Sequence, residues 1–422
     1  MLEERRHIGL SANDDHGVED KVREIIEKVR CGGLDAVLDY TRKFDSENFT
    51  PDMLAVSRED IRKAYESTSA DDLRIIGEAA DNIRNFHQAQ KDKSWFVTRP
   101  DGTMLGQTIN PVGRAGLYVP GGRRGNTPLI SSLLMTAIPA QVAGVGEIAV
   151  VTPPRADGSV NPYILAAAEL LGIREIYACG SAWAIAALAH GAGPIRPVDV
   201  IAGPGNIWVA TAKRLLIGQV GIDMIAGPSE VLILADDTAS PAVIAADMLS
   251  QAEHDSLASA ICVITSSFLA ESIKYELETQ CATLPRAEVA RESLRRWGAV
   301  VIARDLEHAI GLANRVAPEH LELLCERPWE VLPKIKSAGA VFMGAYSAES
   351  LGDYYAGPNH VLPTMGTARF ASALGVQTFC KKTSVIAASA GFARDGAAAV
   401  ARLARLEGLE AHARAAEARL KI

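Results

Sequence analysis

The run Ser250-Gln-Ala-Glu-His254 closes an apolar stretch, PAVIAADMLSQAEHD, in which Val243, Ala246, Leu249 and Ala252 suit the buried face of a helix. Gln251 and His254, three apart, then lie side by side one turn along it, and an amide oxygen and an imidazole in that relation can reach one cation together. A histidine at a helix C-terminus is also favoured by the dipole alone, so the pair has two readings. Asp247 and Glu253 flank it and could orient it. Further on, Val316-Ala-Pro-Glu-His320-Leu-Glu-Leu places Glu319 and His320 just after Pro318, which stops a helix and leaves them at a helix-to-strand junction. Adjacent carboxylate and imidazole groups can serve as general base and general acid when burial tunes their pKa values towards neutrality. An ordinary ion pair on a surface loop uses the same two residues.

The segment Leu351-Gly-Asp353-Tyr-Tyr-Ala-Gly-Pro-Asn-His360 carries Gly352, Gly357 and Pro358, which argue against regular structure, yet it keeps Asp353 and His360. Polar groups held on a loop are functional candidates; an aspartate there also suits a turn or a cap. The tail offers Glu407-Gly-Leu-Glu-Ala-His412, by itself an exposed acidic helix with one histidine. Gly203-Pro-Gly-Asn206, Gly227-Pro-Ser229-Glu230 and Gly116-Leu-Tyr118-Val-Pro-Gly121-Gly122 follow or precede apolar runs, and turns of this kind can hold an anionic group on backbone N–H groups. None of them is a G-x-G-x-x-G fingerprint.

The elements that must position these residues have two textures. From about Val22 to Gln90 apolar residues recur at helical spacing among many charges, as at Val22, Ile25, Ile26 and Val29. After Pro111 short apolar runs alternate with Ala-rich helical stretches: IAVVTPP, EIYACGSA and VDVIAGPG, then EVLILAD, ASAICVIT, AVVIARD and GAVFMG. This is the rhythm of βαβ units and a mostly parallel sheet, repeated in two α/β units. Beyond Thr383 the chain is Ala- and Arg-rich with helical period, too polar and narrow-faced to make a core alone. That tail must pack on something else, for which a second subunit is a candidate.

At 422 residues with 48% hydrophobic content, more than one domain is expected. A net charge of -8 with scattered basic residues gives no footprint for nucleic acid or an anionic membrane. The first residues do not read as a signal peptide, and no apolar stretch reaches the roughly 20 residues of a membrane helix. A cytoplasmic protein is expected. The six cysteines are far apart with no C-x-x-C pair, which argues against a disulfide framework and a thiolate metal site.

Taken in order, GLYVPGG, GPGNIWVATAKR, IDMIAGPSEV, SQAEHD, VAPEHLEL, GDYYAGPNHVLPT, TARF and EGLEAH resemble the histidinol dehydrogenase family, from about Val22 to the last helix. One motif would carry little weight; the ordered set is specific. The resemblance implies an enzyme of histidine biosynthesis that oxidises L-histidinol to L-histidine through the aldehyde in two NAD-dependent steps at one site. It implies one zinc ion per subunit on Gln251, His254, Asp353 and His412, an amide, imidazole and carboxylate set that leaves room for substrate. In the family the metal holds the substrate's imidazole and amine, fixing the geometry of hydride transfer. His320 is implied as the base that takes the alcohol proton, and Glu319 as the base that activates water for the second oxidation. Ser229, His360 and Glu407 match substrate contacts, alongside the metal residues and His320. Tyr118 and Asn206 match contacts to NAD.

One departure stands out: where the family has Gly-Gly-Ala-Gln, this chain has Gly180-Ser-Ala-Trp183. Trp183 thus replaces a cofactor-contacting glutamine, either stacking on NAD or filling space. The architecture implied is α/β, with two incomplete Rossmann-like domains, one inserted in the other, and small helical terminal segments exchanged in a homodimer. Its parts would be an N-terminal arm at 1–17, a first domain at 18–115 plus 232–374, a second, NAD-side domain at 116–231, and a swapped tail at 375–422. Two other readings remain: a paralogous NAD-dependent dehydrogenase of another polyol or amino alcohol, hinted at by Trp183, and a zinc hydrolase in which Glu319 serves a metal-bound water.

Overall fold

The computed structural model describes residues 16–122 and 125–421. The arm expected at 1–17 therefore lies, up to residue 15, outside the described residues. The chain opens with helices α1 (His16–Phe44), α2 (Pro51–Leu54), α3 (Arg58–Ser67) and α4 (Ala70–Gln88), as the helical period of this segment predicts. Ser57 and Ser69 cap α3 and α4, each accepting a bond from the N–H three residues on. Strands β1 (Trp95–Thr98) and β2 (Met104–Pro111) follow.

The next stretch builds a first parallel sheet: β3 (Arg114–Tyr118), α5 (Ile130–Ala143), β4 (Glu147–Thr152), α6 (Pro162–Leu170), β5 (Glu175–Ala178), α7 (Ser181–His190), β6 (Val200–Ala202), α8 (Ile207–Leu215) and β7 (Gly221–Ile222). A second follows from β8 (Glu230–Ala235), α9 (Pro241–Ala252), β9 (Ser259–Ile264), α10 (Ser267–Cys281), α11 (Ala287–Trp297), β10 (Ala299–Ile302), α12 (Leu306–Val316), β11 (His320–Leu324), α13 (Pro328–Val331), β12 (Ala340–Met343) and α14 (Glu349–Tyr354). The strand orders are β5-β4-β3-β6-β7 and β10-β9-β8-β11-β12. Within each sheet the order reverses at its first strand, between β3 and β6 and between β8 and β11, which makes both doubly wound. The fold is thus α/β with parallel sheets, and every apolar run picked out after Pro111 contributes a strand.

Central strands β8, β9 and β11 are buried along their whole length, which is why β8 and β9 are apolar after their first residue rather than alternating, while β11 keeps His320 and Glu322 among its leucines. Their alternate side chains still serve two separate layers. Leu232, Leu234, Leu321 and Leu323 pack with Ile310 and Val316 of α12 on one face, while Val231, Ile233 and Leu324 pack with Ile244 and Met248 of α9 on the other. His320 and Glu322, in step with Leu324, are thereby directed to the α9 face.

Two compact units divide the chain: 1–90 with 113–379, and 91–112 with 380–422. The second holds β1 and β2, an antiparallel partner β13 (Cys380–Ala387), and helices α15 (Ala390–Leu406) and α16 (Glu410–Ala418). The helical period expected beyond Thr383 begins later, because β13 continues to Ala387 opposite Met104 of β2. Its residues are nearly all exposed, so burial imposes no alternation that the sequence could display. The buried core under α15 and α16 is three alanines, Ala401, Ala404 and Ala413, held by Arg405 bonding to Glu410 and Glu417.

Candidate active site and metal centre

Helix α12 ends at Val316, and Ala317 adopts a left-handed conformation (φ 51°) before Pro318, so the chain turns sharply into β11 with Glu319 and His320 at its amino end. Glu319 Oε2 accepts the backbone N–H of Glu230 at 2.9 Å, at the start of the neighbouring strand β8. His320 Nδ1 lies 3.1 Å from the carbonyl oxygen of the same Glu230. A carbonyl only accepts, so that contact puts the ring proton on Nδ1 and leaves Nε2 as a bare acceptor. Nε2 is buried without a partner, 3.8 Å from Asp353 Oδ1. Burial holds the His320 pKa down to about 4, keeping the ring neutral. The same burial, reinforced by the charges of Glu230, Glu349 and Asp353, pushes Glu319 well above the ordinary carboxylate range.

Helix α9 runs back against its strands, so its C-terminal end returns to the amino edge of the sheet. That end carries Gln251, which is fully buried with neither amide atom bonded, and His254 just beyond it. His254 is exposed at the residue level, yet the protein packed around its ring lowers its pKa. Asp353 arrives on α14. Gly352 does not break this helix, contrary to the irregular loop expected there: a Cβ at Gly352 would stand 2.6 Å from the Phe342 ring, so glycine is required by close packing. Burial raises Asp353 to about 6. His360 Nδ1 lies 3.0 Å from the Asp353 carbonyl, and burial lowers this ring to about 4 as well.

A carboxylate passed over in the sequence completes the cluster. Glu349, one helical turn before Asp353, is buried, with Oε1 3.7 Å from His320 Nδ1 and Oε2 without a partner. The spacing Glu349-x-x-x-Asp353 is the signal that could have found it, had the segment been read as helix. Behind it Glu322 accepts the Glu349 N–H at 3.1 Å, and burial together with the nearby Asp247 pushes Glu322 up to about 9. Burial raises Asp247 as well.

Donor atoms of His254, Glu349 and Asp353 all lie within 4.8 Å of one another. A pocket of nitrogen and oxygen donors without thiolate, several buried and unbonded, fits a borderline-to-hard divalent cation such as zinc. Ser229 immediately precedes β8, its carbonyl accepting the Ser259 N–H. Glu407 and His412 belong to the second unit, on the end of α15 and the first turn of α16, and both are exposed.

The residues expected to meet NAD lie at the carboxyl edge of the first sheet. Tyr118 ends β3, buried, its hydroxyl accepting the Ser181 N–H at 3.3 Å. Asn206 caps α8, its side-chain oxygen accepting from the N–H groups of Trp208 and Val209. Gly203, at φ 126°, passes so close to the Tyr118 carbonyl that no side chain fits. Trp183 is buried, its ring stacked against Tyr40 at 5.7 Å and Phe44 at 5.6 Å and its indole N–H donated to Thr41.

A family model described as histidinol dehydrogenase matches residues 10–420. The histidinol dehydrogenase of Nitratidesulfovibrio vulgaris is 64% identical over 405 residues, 96% of this chain and 93% of the relative. That of Bacillus subtilis is 51% identical over 415 residues, 98% and 96% of the two chains. A crystal structure of histidinol dehydrogenase from Elizabethkingia anophelis matches with TM-score 0.91 at 37% identity, covering 96% of this chain and 92% of that one.

Proposed function

Because the chain belongs to the histidinol dehydrogenase family, we propose that it oxidises L-histidinol to L-histidine in two NAD-linked steps at a zinc site, as a cytoplasmic homodimer. Gln251, His254, Asp353 and His412 are the zinc residues in this proposal. Those residues would hold a zinc ion that anchors the substrate's imidazole and amine, and Tyr118, Trp183 and Asn206 would hold NAD, which supplies the hydride acceptor. The observation that carries the proposal is His320: neutral, oriented by the Glu230 carbonyl, with a bare Nε2 facing Asp353.

In the first oxidation His320 Nε2 takes the hydroxyl proton as the same carbon loses a hydride, leaving the aldehyde. Glu319 then takes a proton from the water that adds to that aldehyde. The hydrate loses a second hydride and a proton, giving the carboxylate. Burial makes Glu319 a strong proton acceptor once a cation offsets the like charges around it. Ser229 and His360 border the substrate.

Glu407 and His412 come, in this proposal, from the exchanged tail at 375–422 of the second subunit. Supporting this are the three-alanine core of α15 and α16 and the exposed Leu403, Leu406 and Leu409, which need an apolar partner. The two doubly wound sheets support two Rossmann-like domains, proposed at 18–115 plus 232–374 and at 116–231, with β1 and β2 of the first range paired instead with β13. The test is NADH formation from zinc-loaded protein and L-histidinol. About two NADH per substrate, abolished by a chelator, is expected; no NADH despite bound zinc and NAD would move the chemistry to another amino alcohol.

A further inference from the structure

Glu349 is a buried carboxylate that no cationic side chain compensates among the described residues. It is 2% exposed, one carboxylate oxygen has no partner, and the charges that act on it, from Asp353, Glu322 and Asp247, are all negative. No lysine or arginine answers it among the described residues. A carboxylate buried in this way is costly unless a cation compensates it.

The geometry supplies the place for one. Glu349 and Asp353, four apart on α14, present oxygens to the same side, and with a ring nitrogen of His254 they form a triangle no wider than 4.8 Å. Ligands about 2.0–2.2 Å from one zinc ion stand at most about 4.4 Å apart, so small side-chain rotations bring all three into contact with it. A second feature points into the same space: His320 Nε2, itself buried and unbonded, 3.8 Å from Asp353.

We propose that Glu349 is a ligand of the metal in the substrate-free enzyme and leaves it when substrate binds. This rests on the zinc site proposed above. The exchange follows from counting positions. Gln251, His254, Asp353 and His412 occupy four, and a substrate that binds through two nitrogens needs two more. With about six positions at most around a metal of this kind, Glu349 must vacate its place. Once released, its carboxylate stays beside His320 Nδ1, 3.7 Å away, on the side of the ring opposite the reacting nitrogen. The site would thus be kept neutral and closed until the amino alcohol displaces the carboxylate, and no covalent bond changes.

The test uses full-length dimer loaded with cobalt(II) in place of zinc. Visible absorption reports the ligand sphere, and titration against a chelating dye gives metal affinity. Glu349→Gln and Glu349→Ala, each checked for folding by near-ultraviolet circular dichroism, are expected to alter the substrate-free spectrum and weaken metal binding about 10- to 100-fold. With saturating L-histidinol, the variant and wild-type spectra should coincide. If the substrate-free spectrum and affinity of both variants equal those of wild type, Glu349 is not a ligand. Loss of metal from His254→Ala and Asp353→Asn in the same series would show that only this inference had failed. A wild-type protein that takes up no stoichiometric metal would instead remove the zinc site itself.

Discussion

The two parallel sheets share one strand order yet are furnished at opposite edges. In the first, Tyr118, Ser181 and Asn206 follow the strands, at the carboxyl edge that doubly wound sheets commonly use for ligands. In the second, Ser229 and Glu319 precede the strands that Glu230 and His320 open, and α9 brings Gln251 and His254 to the same amino edge. The chemistry differs accordingly. At the first edge most polar groups are satisfied: Tyr118 accepts from Ser181, Asn206 caps a helix, and Trp183 is stacked and bonded, Asp45 Oδ2, whose charge acts on Tyr118 and Cys179, being the buried exception. At the second edge Gln251, His320 and Glu349 keep buried polar atoms without partners. A satisfied edge contributes stability and a shaped surface; an unsatisfied one stores a need for a ligand, at the expense of stability.

That contrast predicts opposite responses to substitution. The largest effect is expected at His320. His320→Asn should retain zinc and L-histidinol binding while kcat falls about 10²–10⁴-fold, measured by steady-state NADH formation; a fall of less than tenfold would deny the ring its role as base. At the other edge, Trp183→Ala should cost about 3–5 kcal/mol of stability, read from denaturant unfolding, with zinc uptake unchanged. Unaltered stability there would mean that the stacked indole is not a packing residue, and the contrast between the edges would weaken. Glu319→Gln should slow oxidation of supplied L-histidinal about 10²-fold or more relative to the alcohol step, because only the aldehyde needs an activated water. Equal losses in both steps would break that division of labour.

The smallest effect is also the most diagnostic of stored cost. Folded Glu322 keeps its proton up to about pH 9, whereas an unfolded glutamate releases it near 4.5. The folded state therefore binds more protons between these limits, so this contribution is complete below about 4.5 and is lost as pH rises towards 9. Metal-free protein should lose stability progressively across that window, by about 1.4 kcal/mol per pH unit from Glu322 alone, with Glu319, Glu349 and Asp353, also raised by burial, adding to the decline. Glu322→Gln should flatten the decline. An unchanged slope would place the titrating group elsewhere.

Much of this site was legible in the chain. The junction at Pro318 predicted where Glu319 and His320 sit, and the apolar periodicity before His254 predicted a helix carrying Gln251, since both signals are local. Glu349 was not legible, because Gly352 looks like a helix breaker until the Phe342 ring is found to occupy the space of its side chain. The sheet of β1, β2 and β13 was missed because its strands are largely exposed and lack a period. Asp247 was noticed beside Gln251 and His254, but its partner Glu322 lies 75 residues away on another element.

By itself, then, the sequence determined the α/β class, the strands and the family, because these follow from short-range period and from motifs in order. Only the tertiary structure decided that the polar cluster forms at the amino edge of the second sheet, with Glu349 inside it and Trp183 packed against α1. Such convergence depends on strand order, on the antiparallel return of α9 and on which side chains burial deprives of water, and none of these leaves a mark within one helical turn or one strand.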